Sequence, residues 1–434
     1  MSLRGVLPNE GRRSNLTHLI PVGVCSIISR VYQERGQYVI EFDVEYYDDE
    51  HKKKLSGHDY SPAIGSLVKN GIKVTEDEFV VYSLFREQKN YPGWRNYQEL
   101  KQKLPTRIDT FRDYFDTGGG TLKSKFPRRD FDIKQTESAG VATALLAMNE
   151  IFNLHEADWG RIPTTKKFKT LDFELASELA SNGKRFIQVE AKGTIFESKS
   201  LDNTAALKKK IEEKKEAQGK LANANTLFFG VIAGFPYSQN SNAVGLLLDP
   251  PLNNNLGDPQ KHRLLARLYY YVNNLRTISK SHLVMALMNR IRVLELADDY
   301  TEFDRIPLVD VYGETLETPP TSIYSKTMID EEIAGNVFPI SRREFFYSAF
   351  DLEVYNVLVK QDFEMIRNYE SKLARIVQQQ RTIKARVEVD DLKRYDLSPS
   401  LYRQIPHTKQ VIMELTGKIF ATRSGRVVGF LNQQ

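Results

Sequence analysis

One cysteine, Cys25, stands in a chain of 434 residues, which excludes a disulfide framework and a cysteine-rich zinc site. No apolar run reaches the ~20 residues that a membrane-spanning helix needs. The longest are 19–28, interrupted by Pro21, and 227–235. No small-residue cleavage site follows the first, so it does not read as a secretory signal and a cytoplasmic protein is expected. Charge of one sign is scarce too. Lys and Arg number 61 against 56 Asp and Glu, and the resulting +5 argues for a nucleic-acid partner only if the basic residues cluster. Repeats and low-complexity tracts are missing. What remains is 41% hydrophobic and 27% charged, the composition of a globular protein with room for two or three domains.

Several catalytic signatures are absent as well. Gly118-Gly119-Gly120 lacks the Gly-Lys-Ser/Thr of a phosphate-binding loop. His155-Glu156 lacks the second histidine of a zinc-protease helix, and no Gly-x-Ser-x-Gly elbow occurs. Cys25 reads as a small core residue, and His51 and His58 read as solvated members of a charged loop.

Residues 19–83 read as strand-rich. Residues 37–47 are crowded with β-branched and aromatic side chains, and 48–54 supplies a polar turn. Residues 91–115 read as partly helical, and the glycine run after them marks a joint. A strand-rich N-terminal domain is therefore expected over 1–117. From Phe131 helices and strands alternate. A helix is expected over 137–153, strands over 169–176 and 185–192, and a charged helix over 205–221 with Asn203 as its cap. Apolar strands follow over 226–235 and 243–248, so 121–258 reads as an α/β core with a mixed sheet.

Residues 260–296 and 340–398 contain neither Pro nor Gly, which predicts a helical C-terminal domain over 259–434. Phe345, Leu352, Val359, Ile366 and Leu373 recur there at sevens. That imperfect stripe suits one face of a helical domain packed on its neighbour, or else a helical hairpin or the arm of a homodimer.

Chemistry concentrates in Leu171-Asp172-Phe173-Glu174-Leu175 and Ile187-Gln188-Val189-Glu190-Ala191-Lys192-Gly193. Side chains alternate on a strand, so Glu190 and Lys192 share one face while Ile187, Val189 and Ala191 share the other. Asn182-Gly183 is a hairpin signal, and the hairpin would set Asp172 beside Glu190 and Lys192. Two carboxylates brought together repel, and a lysine offsets only part of that cost. A divalent cation such as Mg²⁺, which takes one or two carboxylates, waters and a phosphate, would offset the rest.

Asp172 followed by Glu190-Ala191-Lys192 resembles the PD-(D/E)xK, restriction-endonuclease-like, nuclease superfamily. The expected order of elements, from a helix through the hairpin to another helix and two strands, is similar to that family's core. The resemblance covers roughly residues 131–251. It implies metal ligation by Asp172, Glu190 and the carbonyl of Ala191, with Lys192 as catalytic lysine and Mg²⁺, replaceable by Mn²⁺, as cofactor. Leu171 stands where the family often has proline, a position at which its members vary. Many relatives add a glutamate from the preceding helix. At about 100° per residue, Val141, Leu145, Met148 and Phe152 lie on the side of Glu137 and away from Glu150, so Glu137 is the preferred metal ligand.

A polyanion also needs a basic surface. Between Asp258 and Glu295 no acid occurs, whereas Lys261, Arg263, Arg267, Arg276 and Lys280 fall there around Tyr269-Tyr270-Tyr271. The arginines and lysines are read as phosphate contacts, the tyrosines as core. Lys123, Lys125, Arg128 and Arg129 form a second cluster, and the mixed charges of 208–216 read as a solvated helix face. The expected protein is thus a metal-dependent nuclease leaving a 5′-phosphate and a 3′-hydroxyl. DNA is the favoured substrate, and analogy places it in prokaryotic restriction or anti-phage defence. The alternative is a non-catalytic nucleic-acid-binding or assembly protein on a degenerate nuclease-like fold.

Overall fold

Strand β1 (Val39–Tyr46) alternates as its sequence dictates: Ile40, Phe42 and Val44 are buried, and the acids between them face outward. The structure, a computed structural model, describes residues 39–57, 60–86, 97–162, 173–177, 185–198, 204–219, 224–238, 241–248, 252–254, 259–278, 282–296, 327–329, 333–375, 379–395, 397, 402–407 and 409–433. After β1 the chain turns helical. Asp48 caps α1 (Asp49–Leu55) by accepting from the His51 N–H, and α2 (Ser61–Asn70) carries proline in its first turn. Strand β2 (Ile72–Thr75) returns antiparallel to β1, and α3 (Glu76–Arg86) and α4 (Tyr97–Tyr114) follow. Within 19–83 the described residues therefore form more helix than strand, and 48–54 is a capped helix rather than a turn. His51 is buried with Nδ1 2.6 Å from Asp48 Oδ1, not solvated.

The glycine run joins two short antiparallel strands, β3 (Phe115–Asp116) and β4 (Lys123–Ser124). Then α5 (Ile133–Phe152) runs from an Asp132 cap to Asn153 in the left-handed conformation. β5 (Gly160–Arg161), β6 (Phe173–Ser177) and β7 (Arg185–Phe196) follow, then α6 (Thr204–Gly219), β8 (Ala224–Pro236), β9 (Ala243–Leu248) and β10 (Leu252–Asn254). One sheet takes the order β2-β1-β9-β8-β7-β6-β5, with β10 beside β8. β6 and β7 are antiparallel, β7 and β8 parallel across α6, and β8 and β9 antiparallel. The element order expected for the core is thus present.

The expected boundary near 117–121 is not. β1 pairs in parallel with β9, from Phe42↔Ala243 to Tyr46↔Leu247, so the first strands complete the sheet they were expected to precede. Residues 39–434 form one compact unit. One buried cluster joins Ile40, Phe111, Leu145, Val189 and Phe229 to Phe346 and Val428, crossing the second expected boundary as well.

The C-terminal part is mixed rather than helical. Helices α7 (Pro259–Ile278) and α8 (His282–Leu296) bear out the first Pro/Gly-free stretch. The second instead contains β13 (Glu344–Asp351), α9 (Leu352–Lys360), α10 (Phe363–Asn368), β14 (Gln379–Glu388) and α11 (Val389–Arg394). Together with β11 (Thr327–Ile329), β12 (Ile333–Pro339), β15 (Arg403–Gln404), β16 (Gln410–Ala421) and β17 (Arg426–Gln433), the strands form a second sheet. Its order is β11-β12-β13-β17-β16-β14, with β15 beside β16. The heptad stripe is coincidental: Phe345 lies on a strand, and Leu352, Val359 and Ile366 lie on two separate short helices. Absence of Pro and Gly permits a helix without requiring one, and Phe345-Phe346-Tyr347 is strand chemistry. No dimer arm exists among the described residues. Nor is any helix there long and apolar enough to cross a membrane.

Asp77, in the first turn of α3, is buried, which together with the charge on Glu76 pushes its carboxyl up to about 8. The folded chain then holds a proton that the unfolded chain releases near pH 4, so this group costs stability as pH rises from about 4 to 8. Asp77→Asn removes that slope. In urea unfolding the variant is expected to exceed the wild type at pH 9, with the gap much smaller at pH 5 and closing near pH 4. An equal gap at both values would refute the assignment.

Candidate active site

Strand β7 lies inside the first sheet with a helix on each face. On one side Ile187, Val189 and Ala191 join the core that α5 covers. The approach is close. A Cβ on Gly140 would come 2.8 Å from Gly193 N, and one on Gly193 would come 1.9 Å from Thr136 O. On the other side Phe196, Ile232 and Ile211 of α6 make a smaller apolar cluster. Gly230, the partner of Glu190 on β8, leaves room for Ile211, whose Cγ2 would be 2.7 Å from a Cβ there. Glu190 and Lys192 therefore project toward α6, on one face as the strand period requires.

Glu190 is fully buried. Its Oε1 accepts from the Lys192 ammonium and, at 2.6 Å, from Lys214 Nζ on α6. The side chains of Lys192 and Lys214 are 22% and 26% exposed, so the cluster reaches solvent through its two lysines. Burying a carboxylate is costly without counter-charge, and two ammoniums supply it here. Sequence reasoning missed Lys214 by assigning its helix face to solvent. Lys208 and Glu212 do make such a surface pair at 3.8 Å, but Lys214 stands three residues after the buried Ile211 and turns inward. That spacing was the available signal.

The other expected ligands fare differently. The ladder between β6 and β7 runs from Ser177↔Arg185 to Phe173↔Val189, and Asp172 lies outside the described residues. Ala191 is an interior residue of β7 whose side chain packs toward α5. Glu137 is exposed on α5, which covers the face opposite Glu190, so the structure does not bring the two together. Glu150 is exposed too. Burial runs all round α5 from Ser138 to Asn149, so the helical wheel singled out no inward face, and Glu137, expected to point inward, is exposed near the start of the helix. Among the described residues no three His, Cys, Asp or Glu side chains form a metal-binding group. Mg²⁺ needs only one or two carboxylates beside waters and phosphate, and Glu190 supplies one hard oxygen donor of that kind.

The expected phosphate contacts on α7 are mostly corrected. Arg267 is fully buried: Nε donates to Asp158 Oδ1 at 2.6 Å, and its other nitrogens donate to the carbonyls of Ile366 and Tyr369 and to His155 Nε2. Arg263 donates to the same Asp158 oxygen at 3.0 Å. An acid 109 residues upstream of Arg267 pairs with both guanidiniums, so both are engaged within the protein. Tyr270 and Tyr271 are core residues, as expected. Lys261 and Arg276 are half-buried, and Lys280 lies outside the described residues. The second cluster stays at the surface. Lys125, Arg128 and Arg129 are exposed beside Phe126, and the Arg128 N–H donates to Glu197, at the end of β7, at 2.8 Å. No family model, no curated protein and no solved structure matches this chain.

Proposed function

We propose that the chain is a metal-dependent nuclease that hydrolyses phosphodiester bonds, with DNA the favoured substrate. The observation that carries this reading is the pairing of Glu190 with Lys192 on one face of an interior strand, the acid fully buried and the lysine partly exposed. The run of helix, hairpin, helix and two strands around that pair supports the resemblance to the PD-(D/E)xK superfamily. Glu190, the carbonyl of Ala191 and Asp172 would hold Mg²⁺, which lowers the pKa of a bound water and polarises the phosphate. Lys192 would place its ammonium against the charge that develops at phosphorus. The exposed cations of 123–129, packed at the far end of β7, would take the neighbouring phosphates.

The test is incubation of the full chain with single- and double-stranded DNA and with RNA, in Mg²⁺, Mn²⁺ or chelator. Cleavage that disappears with chelator, and that falls at least about a hundredfold in Glu190→Gln, Lys192→Met and Asp172→Asn, is the expected result. One observation favours a second reading. Glu190 is already compensated by two lysines and needs no cation for its charge. A non-catalytic nucleic-acid-binding or assembly protein would bind the same oligonucleotides without cutting them in any metal.

A further inference from the structure

We infer that Phe126 stacks on a base of an unpaired nucleic-acid strand, so that the substrate is single-stranded or frayed where it crosses the end of β7. The inference rests on the nuclease reading and names the form of its substrate. Phe126 is 40% exposed, whereas Phe131, five residues on, is buried. A lone exposed apolar side chain is ordinary, but this one is held in place. Ser124 is buried, and its hydroxyl donates to the Phe126 carbonyl at 2.6 Å and accepts from the Phe126 N–H at 3.3 Å. Pro127 follows with φ −65°. The ring leans on Tyr114, with centroids 5.4 Å apart and planes tilted by 58°. A ring fixed in this way loses little further freedom when a base stacks on it.

Cations flank the ring in the chain: Lys125, Arg128, Arg129 and Lys134 are all exposed. Acids interleave with them. Arg129 Nε reaches Asp130 at 3.4 Å, while Asp132 and Glu197 accept the main-chain N–H groups of Lys134 and Arg128. Phosphate attraction is therefore modest here, and by itself it does not tell one strand from two. Stacking does. A duplex keeps its bases stacked inside, whereas an unpaired strand offers a free π-face at each nucleotide. The contact between Arg128 and Glu197 places this segment just past Phe196, the last residue of β7, six residues or about 20 Å along the strand from Glu190. The base held there is remote from the scissile phosphate, which makes Phe126 a specificity-determining residue rather than a catalytic one.

The test is fluorescence anisotropy with the full chain in chelator, so that nothing is cut, using a labelled DNA oligonucleotide, its duplex and the RNA strand of the same sequence. Wild type, Phe126→Ala, Phe126→Leu, Phe126→Tyr and Arg128→Gln are compared after circular dichroism melts identify the folded variants. Phe126→Ala and Phe126→Leu are expected to weaken single-strand binding by about five- to a hundredfold, the worth of one stacked base. Duplex binding should change by less than about twofold in both, because the phosphate contacts remain. Phe126→Tyr, which keeps the ring, should bind like the wild type. Arg128→Gln should weaken single strand and duplex alike. DNA and RNA strands should lose affinity together, since every base has a π-face, and the strand that wild type holds more tightly is the one it acts on. A purely structural Phe126 would move single strand and duplex equally. That result, or unchanged single-strand binding in the folded Ala and Leu variants, overturns the role of Phe126, and the nuclease reading still stands if Mg²⁺-dependent cutting by the wild type is lost in Glu190→Gln. A single-strand preference that depends on Phe126 without cutting in any metal keeps the stacking site and overturns the nuclease. No binding of any oligonucleotide by the wild type overturns both.

Discussion

Asp158→Ala is expected to lower the unfolding free energy by about 3–5 kcal/mol, the cost of leaving a buried charge uncompensated. Asp158 is fully buried, as is Arg267, and the two meet at 2.6 Å. Burial alone would raise the Asp158 pKa, but Arg267, then His155 and Arg263, outweigh it and hold the carboxyl far below the usual range. Without that acid the Arg267 guanidinium keeps only carbonyls and a neutral imidazole as partners. Arg263, 14% exposed, can turn to water, so Arg263→Ala should cost less than half as much. The same network ties α7 to the second sheet. Tyr270 Oη and Ser424 Oγ both donate to Glu156, and the Tyr271 hydroxyl donates to the Ser424 carbonyl. Urea unfolding with an unchanged m value is the measurement. A loss below about 1 kcal/mol, the scale of a surface ion pair, would mean that water already reaches Arg267.

Gly193→Ala is the second large effect. Its Cβ would lie 1.9 Å from Thr136 O and 2.7 Å from Thr136 C, both backbone atoms of α5. No side-chain rotation relieves such a contact; the helix or the strand must move. Overpacking of rigid cores typically costs about 1–3 kcal/mol, and a backbone clash of this depth belongs at or above the upper end. Gly65→Ala provides the contrast. Gly65 lies in α2 with nothing within 4 Å of a Cβ, so alanine there should be neutral or stabilise by up to about 1 kcal/mol. The two variants differ by one methyl each, and a thermal melt separates them. Equal melting temperatures would show that α5 and β7 have slack where their backbones meet.

Much of the first sheet is legible in the amino-acid sequence. β9 occupies the expected 243–248, and α5, β7, α6 and β8 lie within a few residues of expectation apart from a longer C-terminal end of β7. Each owes its form to information contained within its own stretch: alternating burial on a strand, a 3.6-residue period and caps on a helix. The shared face of Glu190 and Lys192 follows from strand geometry alone.

Partnership is not legible, because it depends on residues far away in the chain. β1 resembles the opening of its own domain, yet β9 takes it as a parallel neighbour across about 200 residues. Arg263 and Arg267 resemble a basic stripe because the acid that pairs with them belongs to another segment. Glu137 is expected to point inward because a helical wheel ranks faces of an isolated helix, whereas α5 is buried all round from Ser138 to Asn149 and leaves Glu137 exposed. Local pattern thus determined the elements around β7 in the first sheet and the shared face of Glu190 and Lys192. Tertiary structure alone decided which charges lie opposite one another, since Coulomb energy and burial depend on distances in space that sequence separation does not record.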